Sequence, residues 1–398
     1  MTEELETEQL RLAVLHFSAL PDPRIERSKQ HSLIDVVVVA LTAVLAGADS
    51  FYEIETFGRT KKEWLEAFLE LENGIPSHDT FNRVFSLLDP THFQSCALDW
   101  VRAAVGGSLT AEDVLAVDGK QLRGSASENV KAVHMLNVWS HAHGLCLSST
   151  AVDGKSNEIT HVPGLLDTLS LLELAGCIVT VDALNAQRDI ATKVKAHKAE
   201  YIMALKQNQA KLYEDVVWLF ENTGPTELRN TFETRERRRG RKEVRRGSVL
   251  SELAYLETHH WTGLESVAKV SRERKIKGKT TYEVCYYLCS FKAEAAKLLQ
   301  AVRAHWGVEN KLHWSLDVIF GEDAHTYTDR RGAENMSVLR QFALNLLRQD
   351  PSVMLQRSLP NETQIMRGLR NLEDMDGQAT KDMERRGQRG HRVIGATR

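Results

Sequence analysis

Three acidic residues are the most reactive feature of this 398-residue chain. Asp118 ends the apolar run Val114-Leu115-Ala116-Val117, and Asp182 ends Ile178-Val179-Thr180-Val181. Far downstream, Glu309 lies in the amphipathic stretch Arg303-Ala304-His305-Trp306-Gly307-Val308-Glu309-Asn310. Two strand-end carboxylates and one helical carboxylate can hold a pair of divalent cations. Such ions, about 3.5–4 Å apart, activate a nucleophile and stabilise the leaving oxygen in phosphodiester cleavage. Mg²⁺ takes oxygen ligands and keeps several waters, so two or three carboxylates suffice, and Mn²⁺ can substitute.

One such acid after a strand is commonplace; its neighbours make the case. Gly119 lets backbone or substrate approach closely. Lys120 and Arg123 bring positive charge beside the first acid, and Asn185, Gln187 and Arg188 follow the second. His305 and His313 lie four residues either side of Glu309, on one helical face, which also permits a rival zinc site of His305, Glu309 and His313. Trp306 and Trp314 share that helix and read either as core packing or as platforms for unpaired bases. From Arg235 to Arg246, eight of twelve residues are Lys or Arg, including Arg238, Arg239, Arg241 and Lys242. This run is either a solvated charged hairpin or a track for a DNA backbone, with salt-dependent affinity as the signature of the latter.

The elements that must position these groups follow from periodicity. Residues 1–108 read as a helical domain. Helices are expected at Ser32–Ala46, at Thr60–Leu71 with Trp64, Leu65 and Phe68 on one face, and at Phe81–Leu88, closed by Asp89-Pro90. The Gly74–Ser77 turn between the last two is compatible with a DNA-reading helix-turn-helix or with ordinary helical packing. Residues 109–350 read as a mixed α/β domain. Its strands are expected at Val114–Val117, Met135–Trp139, Leu145–Val152, Cys177–Val181 and Tyr201–Leu205. Helices fall around Pro163–Leu174, Gln187–His197 and Ala210–Phe220. A mainly β insertion covers about 222–292, with strand-like runs at Ser248–Leu256, Ser266–Ser271 and Thr281–Ser290. Residues 351–398 lose all period and read as a disordered tail.

Bulk numbers exclude other classes. The net charge of −3 does not by itself announce a nucleic-acid binder, although a local basic cluster can bind phosphates. Five scattered cysteines argue against a disulfide framework and for a reducing, cytoplasmic compartment. The most apolar run, Val36–Ala48, spans thirteen residues, short of the about 20 a membrane crossing needs.

Taken in order, these blocks resemble the H-repeat-associated insertion-sequence transposases of the DDE transposase superfamily. The likeness runs from about residue 15 to 350. It rests on Asp22-Pro23-Arg24, Leu45-Ala46-Gly47-Ala48, Pro76-Ser77-His78-Asp79-Thr80-Phe81 and Val117-Asp118-Gly119-Lys120. It continues through Lys155-Ser156-Asn157-Glu158-Ile159, Asp182-Ala183-Leu184-Asn185-Ala186-Gln187, Ala204-Leu205-Lys206-Gln207-Asn208-Gln209 and Gly240–Arg245. The last blocks are His305–Asn310, His313-Trp314-Ser315-Leu316-Asp317-Val318 and Glu334-Asn335. The resemblance implies an RNase H-like mixed sheet flanked by helices, with Asp118, Asp182 and Glu309 as its catalytic acids. It also implies double-stranded DNA as partner, at element ends and target; the reaction itself suggests a homo-oligomer. Related transposases carry Tyr-x-x-Arg before the Glu and Arg or Lys seven residues after it. Here those positions are Val302, His305 and Leu316, and Asp317 and Asp323 compete as the third acid. The tail after about Ser358 departs from the family's ending. A decayed DNA-binding protein and an RNase H-like nuclease are the alternatives.

Overall fold

In a computed structural model the described residues are 14–349, apart from 155–157, 225 and 239. The tail expectation therefore lies outside the described residues, as does Arg239. The N-terminal part is helical: α1 (Leu33–Leu45), α2 (Phe51–Thr60), α3 (Lys62–Leu65), α4 (His78–Leu87) and α5 (Pro90–Ala104). α1 is rich in β-branched valines, which are mediocre helix formers. Tertiary burial overrides that propensity, since Val36 through Leu41 are fully buried. Ser32 caps the helix by accepting the Asp35 amide at 3.1 Å. This apolar run is thus a core helix.

Two boundaries differ from expectation. The helix expected over Thr60–Leu71 breaks after the single turn of α3, and a second helix, α2, precedes it. Trp64 is correspondingly half-exposed, stacked edge-on against Phe68, while Leu65 is buried. Asp89-Pro90 closes α4 and also opens α5. Asp89 caps the Thr91 amide at 2.8 Å, and Pro90 sits at the first helical position, where its missing N–H costs nothing.

The rest is built on one nine-stranded mixed sheet: β1 (Val114–Leu122), β2 (Val133–Ser140), β3 (Leu145–Val152), β4 (Ile178–Val181), β5 (Glu200–Leu205), β6 (Asn230–Arg238), β7 (Arg241–Leu250), β8 (Ser266–Ile276) and β9 (Lys279–Cys289). The order is β3-β2-β1-β4-β5-β9-β8-β7-β6. β1 to β3 form an antiparallel meander, and β1, β4 and β5 run parallel. This is an RNase H-like core. β9 then pairs antiparallel with β5, so the β insertion extends the same sheet instead of standing apart. Its strands also begin earlier than expected: the basic run itself forms the β6–β7 hairpin.

Strand alternation sorts the two faces. Leu115, Val117, Val179 and Val181 join a core with Ile190 and Val194 of α7 (Arg188–Ala196). α6 (Glu158–Thr168) and α8 (Ala210–Asn222) also lie on this side. Val114 and Ile178 face the other way, against α9 (Ala295–His305). After α9 come a π-helical turn (Val308–His313), α10 (Trp314–Val318) and the long α11 (Arg330–Gln349). α11 joins the N-terminal helices to the sheet. Asn335 donates to the Phe85 and Leu88 carbonyls at 2.9 and 3.0 Å, and Glu334 accepts the Ala151 amide at 2.8 Å. The conspicuous Glu334-Asn335 pair is therefore a structural clamp. All five cysteines are free thiols.

Candidate active site

β1 and β4 are parallel neighbours in a register that pairs Val117 with Val181. Asp118 and Asp182 each follow immediately, so the two acids are carried by adjacent strands, whose ordinary spacing is about 4.8 Å. β4 ends there, whereas β1 continues beside β2 and places Asn137 opposite Asp118. Both acids share the face that carries Val114, Ile178 and Thr180, which is the α9 face.

The segment bearing Glu309 crosses that face. At one end His305 Nδ1 meets Thr180 Oγ1 of β4 at 2.9 Å. At the other, His313 Nε2 lies 3.4 Å from Asn137 Nδ2 of β2, and its Nδ1 lies 3.8 Å from Asp118 Oδ2. Glu309, midway between, is exposed at the rim. The turn here is π-helical, a form that clusters at functional sites.

Asp118 lies within electrostatic range of acids remote in sequence. Burial pushes the Asp118 carboxyl up to about 7; the Gly119 amide opposes this, and the charges of Glu309, Asp182 and Glu158 add to it. His313 does not offset that negative field, because burial, with Lys120 and His134 nearby, drives its pKa down to about 3. Burial also lowers that of His305. The donor set is thus hard carboxylate oxygen, which fits Mg²⁺ or Mn²⁺. Among the described residues, no three His, Cys, Asp or Glu groups are already gathered as a metal cluster.

Asp182 is held in a tight turn. Its Oδ1 accepts the Asn185 amide at 3.0 Å and the Asn185 Nδ2 at 3.1 Å. The same Nδ2 donates to Glu158 Oε2 at 2.7 Å, and Glu158 Oε1 lies 2.6 Å from His134 Nε2. Glu158 is 1% exposed. It stands in the first turn of the helix after β3, and nothing local in the sequence marks it as part of the site.

Several sequence expectations are corrected. Lys120 is not available to phosphate. Its side chain is 7% exposed, and Nζ lies 2.6 Å from Asp317, 2.7 Å from Glu322 and 3.5 Å from Asp323. Those same pairs engage Asp317 and Asp323. His305 and His313 are largely buried and kept neutral, and they fasten the helix to two different strands. Among the described residues they form no zinc cluster with Glu309. Trp306 and Trp314 are not core residues, being 46% and 38% exposed on either side of Glu309. Arg123 remains exposed, with its Nε 3.5 Å from Asp323.

The basic run splits across the two hairpin faces. Arg237 pairs with Lys242 across the strands. Like charges directly opposite are destabilising, so an anion at this tip would relieve them. Nearer the core the charge is balanced: Glu233 pairs with Arg235 and Arg246, and Glu236 with Arg245 and Arg303. Arg241 Nε lies 3.4 Å from Glu243, whereas Lys242 is exposed.

Known proteins match along most of this length. Residues 109–346 match the family model "Transposase DDE domain", and residues 14–101 match "DDE_Tnp_1-associated". "Putative transposase YncI" of Escherichia coli O157:H7 is 37% identical, over 84% of this chain and 86% of that protein. "H repeat-associated putative transposase YhhI" of Escherichia coli K12 is 35% identical, over 86% and 92%. Among solved structures, a piggyBac transposase synaptic complex with hairpin DNA aligns at 12% identity and a TM-score of 0.37, covering 93% of this chain and 83% of that one.

Proposed function

The chain belongs to the DDE-domain transposase family, and from that premise we propose that it cleaves and joins DNA strands at Asp118, Asp182 and Glu309 with Mg²⁺ bound. The observation that carries this is the placement of Asp118, within β1, and Asp182, just past the end of β4, on neighbouring parallel strands, within the electrostatic reach of Glu309. Divalent cations held there supply the charge that activates a nucleophile and stabilises the leaving 3′-oxygen. Asp118 and Asp182 would hold them from the sheet, and Glu309 from the rim. The neutral imidazole of His313 leaves the carboxylates' field undiminished.

Water is the nucleophile for nicking an element end, and the freed 3′-hydroxyl is the nucleophile for joining to target DNA. Both are in-line displacements, so one acidic site serves both. Double-stranded DNA is the partner, contacted by Arg123 and the hairpin tip around Arg238, Arg241 and Lys242. Holding two ends together calls for a homo-oligomer acting in the cytoplasm on the nucleoid.

The test is to substitute Asp118→Asn, Asp182→Asn and Glu309→Gln singly and assay the element's own ends with Mg²⁺. Each should abolish nicking and joining while end binding survives. Robust Mg²⁺-dependent nicking by any of the three refutes its assignment. Nicking without joining by the unaltered protein would assign a nuclease.

A further inference from the structure

We propose that Glu158 and Asn185 form a buried positioning device that fixes the Asp182 carboxylate for metal binding. This rests on the reading of Asp118, Asp182 and Glu309 as the metal site and adds residues that the three-acid pattern omits.

Asn185 is fully buried, and its Nδ2 group serves two acids at once, Asp182 Oδ1 at 3.1 Å and Glu158 Oε2 at 2.7 Å. Its backbone amide adds a second bond to the same Asp182 oxygen at 3.0 Å. With Oδ1 saturated by two N–H groups, Oδ2 is the atom left to coordinate. The rotamer of Asp182 thus depends on the orientation of the Asn185 amide, and Glu158 sets that orientation. Asn185 Oδ1 has no hydrogen-bond partner among the described residues. An amide turned the other way would aim that oxygen at two acids, so the carboxylate on each side selects one orientation.

Glu158 is itself fixed by His134, and the chain makes room for both. Gly119 follows Asp118, so its side-chain position points to the opposite face of the sheet. A Cβ there would stand 2.2 Å from Glu158 Oε1 and 2.3 Å from His134 Nε2. Gly119 is therefore the socket for this pair. The arrangement links the two aspartates from beneath: β1 seats Glu158, Glu158 orients Asn185, and Asn185 holds Asp182. Outer partners of this kind typically govern metal affinity by about 10–100-fold.

The experiment titrates the full-length protein with Mn²⁺, following free ion by electron paramagnetic resonance. The variants are Glu158→Ala, Glu158→Gln and Asn185→Leu, with Asp118→Asn as control. Glu158→Ala and Asn185→Leu should each weaken Mn²⁺ binding about 10–100-fold. Raising the metal concentration should restore much of their nicking rate. Glu158→Gln can still accept from Asn185 through its amide oxygen, and it should recover most of the affinity. A merely structural role would lower the folded fraction, measured by circular dichroism, without moving the affinity of what remains folded. Wild-type Mn²⁺ affinity in folded Glu158→Ala overturns the proposal, as does wild-type affinity in Asn185→Leu if the first variant does not fold. In either case loss of binding in Asp118→Asn would leave the metal-site reading standing. A wild-type protein that takes up no Mn²⁺ overturns both.

Discussion

Replacing Lys120 by Met separates a structural lysine from a DNA contact. The Nζ of Lys120 is enclosed by Glu322 at 2.7 Å and Asp317 at 2.6 Å, with Asp323 at 3.5 Å. Glu322 is 1% exposed in its side chain, and its other oxygen accepts from Ser337 Oγ at 2.8 Å. Burial lowers the pKa of Lys120, but Glu322 and Asp317 outweigh it and hold the group above the ordinary lysine value. Removing one partner of a buried pair costs about 3–5 kcal/mol, chiefly because the other charge is left uncompensated. For an unfolding slope of about 3 kcal/mol/M, that moves the urea midpoint down by about 1–1.7 M. The double variant Lys120→Met/Glu322→Gln should recover part of the loss, since the orphaned carboxylate is gone. Asp317 and Asp323 are partly exposed and keep their own hydration. A phosphate contact behaves differently: losing it would flatten the log affinity against log salt slope by about 0.9. Lys120→Met should leave that slope unchanged. A variant within about 0.5 kcal/mol of wild type, with a slope flattened by one contact, refutes the buried-cage reasoning.

Three further outcomes are expected. Arg237→Ala and Lys242→Ala, cross-strand neighbours at the hairpin tip, should each flatten the salt slope for end binding by about 0.9; unchanged slopes would remove the hairpin from the interface. Trp306→Ala and Trp314→Ala should change stability by less than about 0.5 kcal/mol, yet weaken binding to ends with single-stranded tails by about 1–3 kcal/mol per lost stack. Equal effects on blunt duplex would argue against stacking. In the N-terminal helices, hydrogen bonds from the His78 backbone and ring and from Arg59 hold Glu55 down to about 2, against an ordinary 4.5. A depressed carboxyl stabilises the fold above its unfolded pKa and loses that contribution as pH falls. Glu55→Gln should therefore be less stable than wild type at pH 7, with the gap closing between about pH 4.5 and 2 in thermal melts.

The sequence by itself determined the elements that carry a strong local period. The strand Leu145–Val152, the helix beginning after Ser32, the strand-end position of Asp182 and the α/β class all follow from alternation, caps and short apolar runs, whereas Asp118, expected at a strand end, lies inside β1, which runs on to Leu122 because β2 pairs with it there. Asp118 and Asp182 were legible as acids because each closes such a run. What the sequence left open depends on which groups meet across space. Lys120 reads as an exposed cation until α10 and the Glu322-Asp323 segment close over it. His305 and His313 read as polar neighbours of Glu309 until burial makes them neutral. Trp306 and Trp314 fit a buried stripe equally well until the turn after α9 leaves them outside. Glu158 sits in an ordinary helical first turn, and only the fold brings it beneath Gly119 and against Asn185. Local pattern encodes backbone geometry, because alternation and capping act over a few residues. Charge state and availability are set by burial and by remote partners, such as Asp323 for Lys120, 203 residues away, and only tertiary packing decides those.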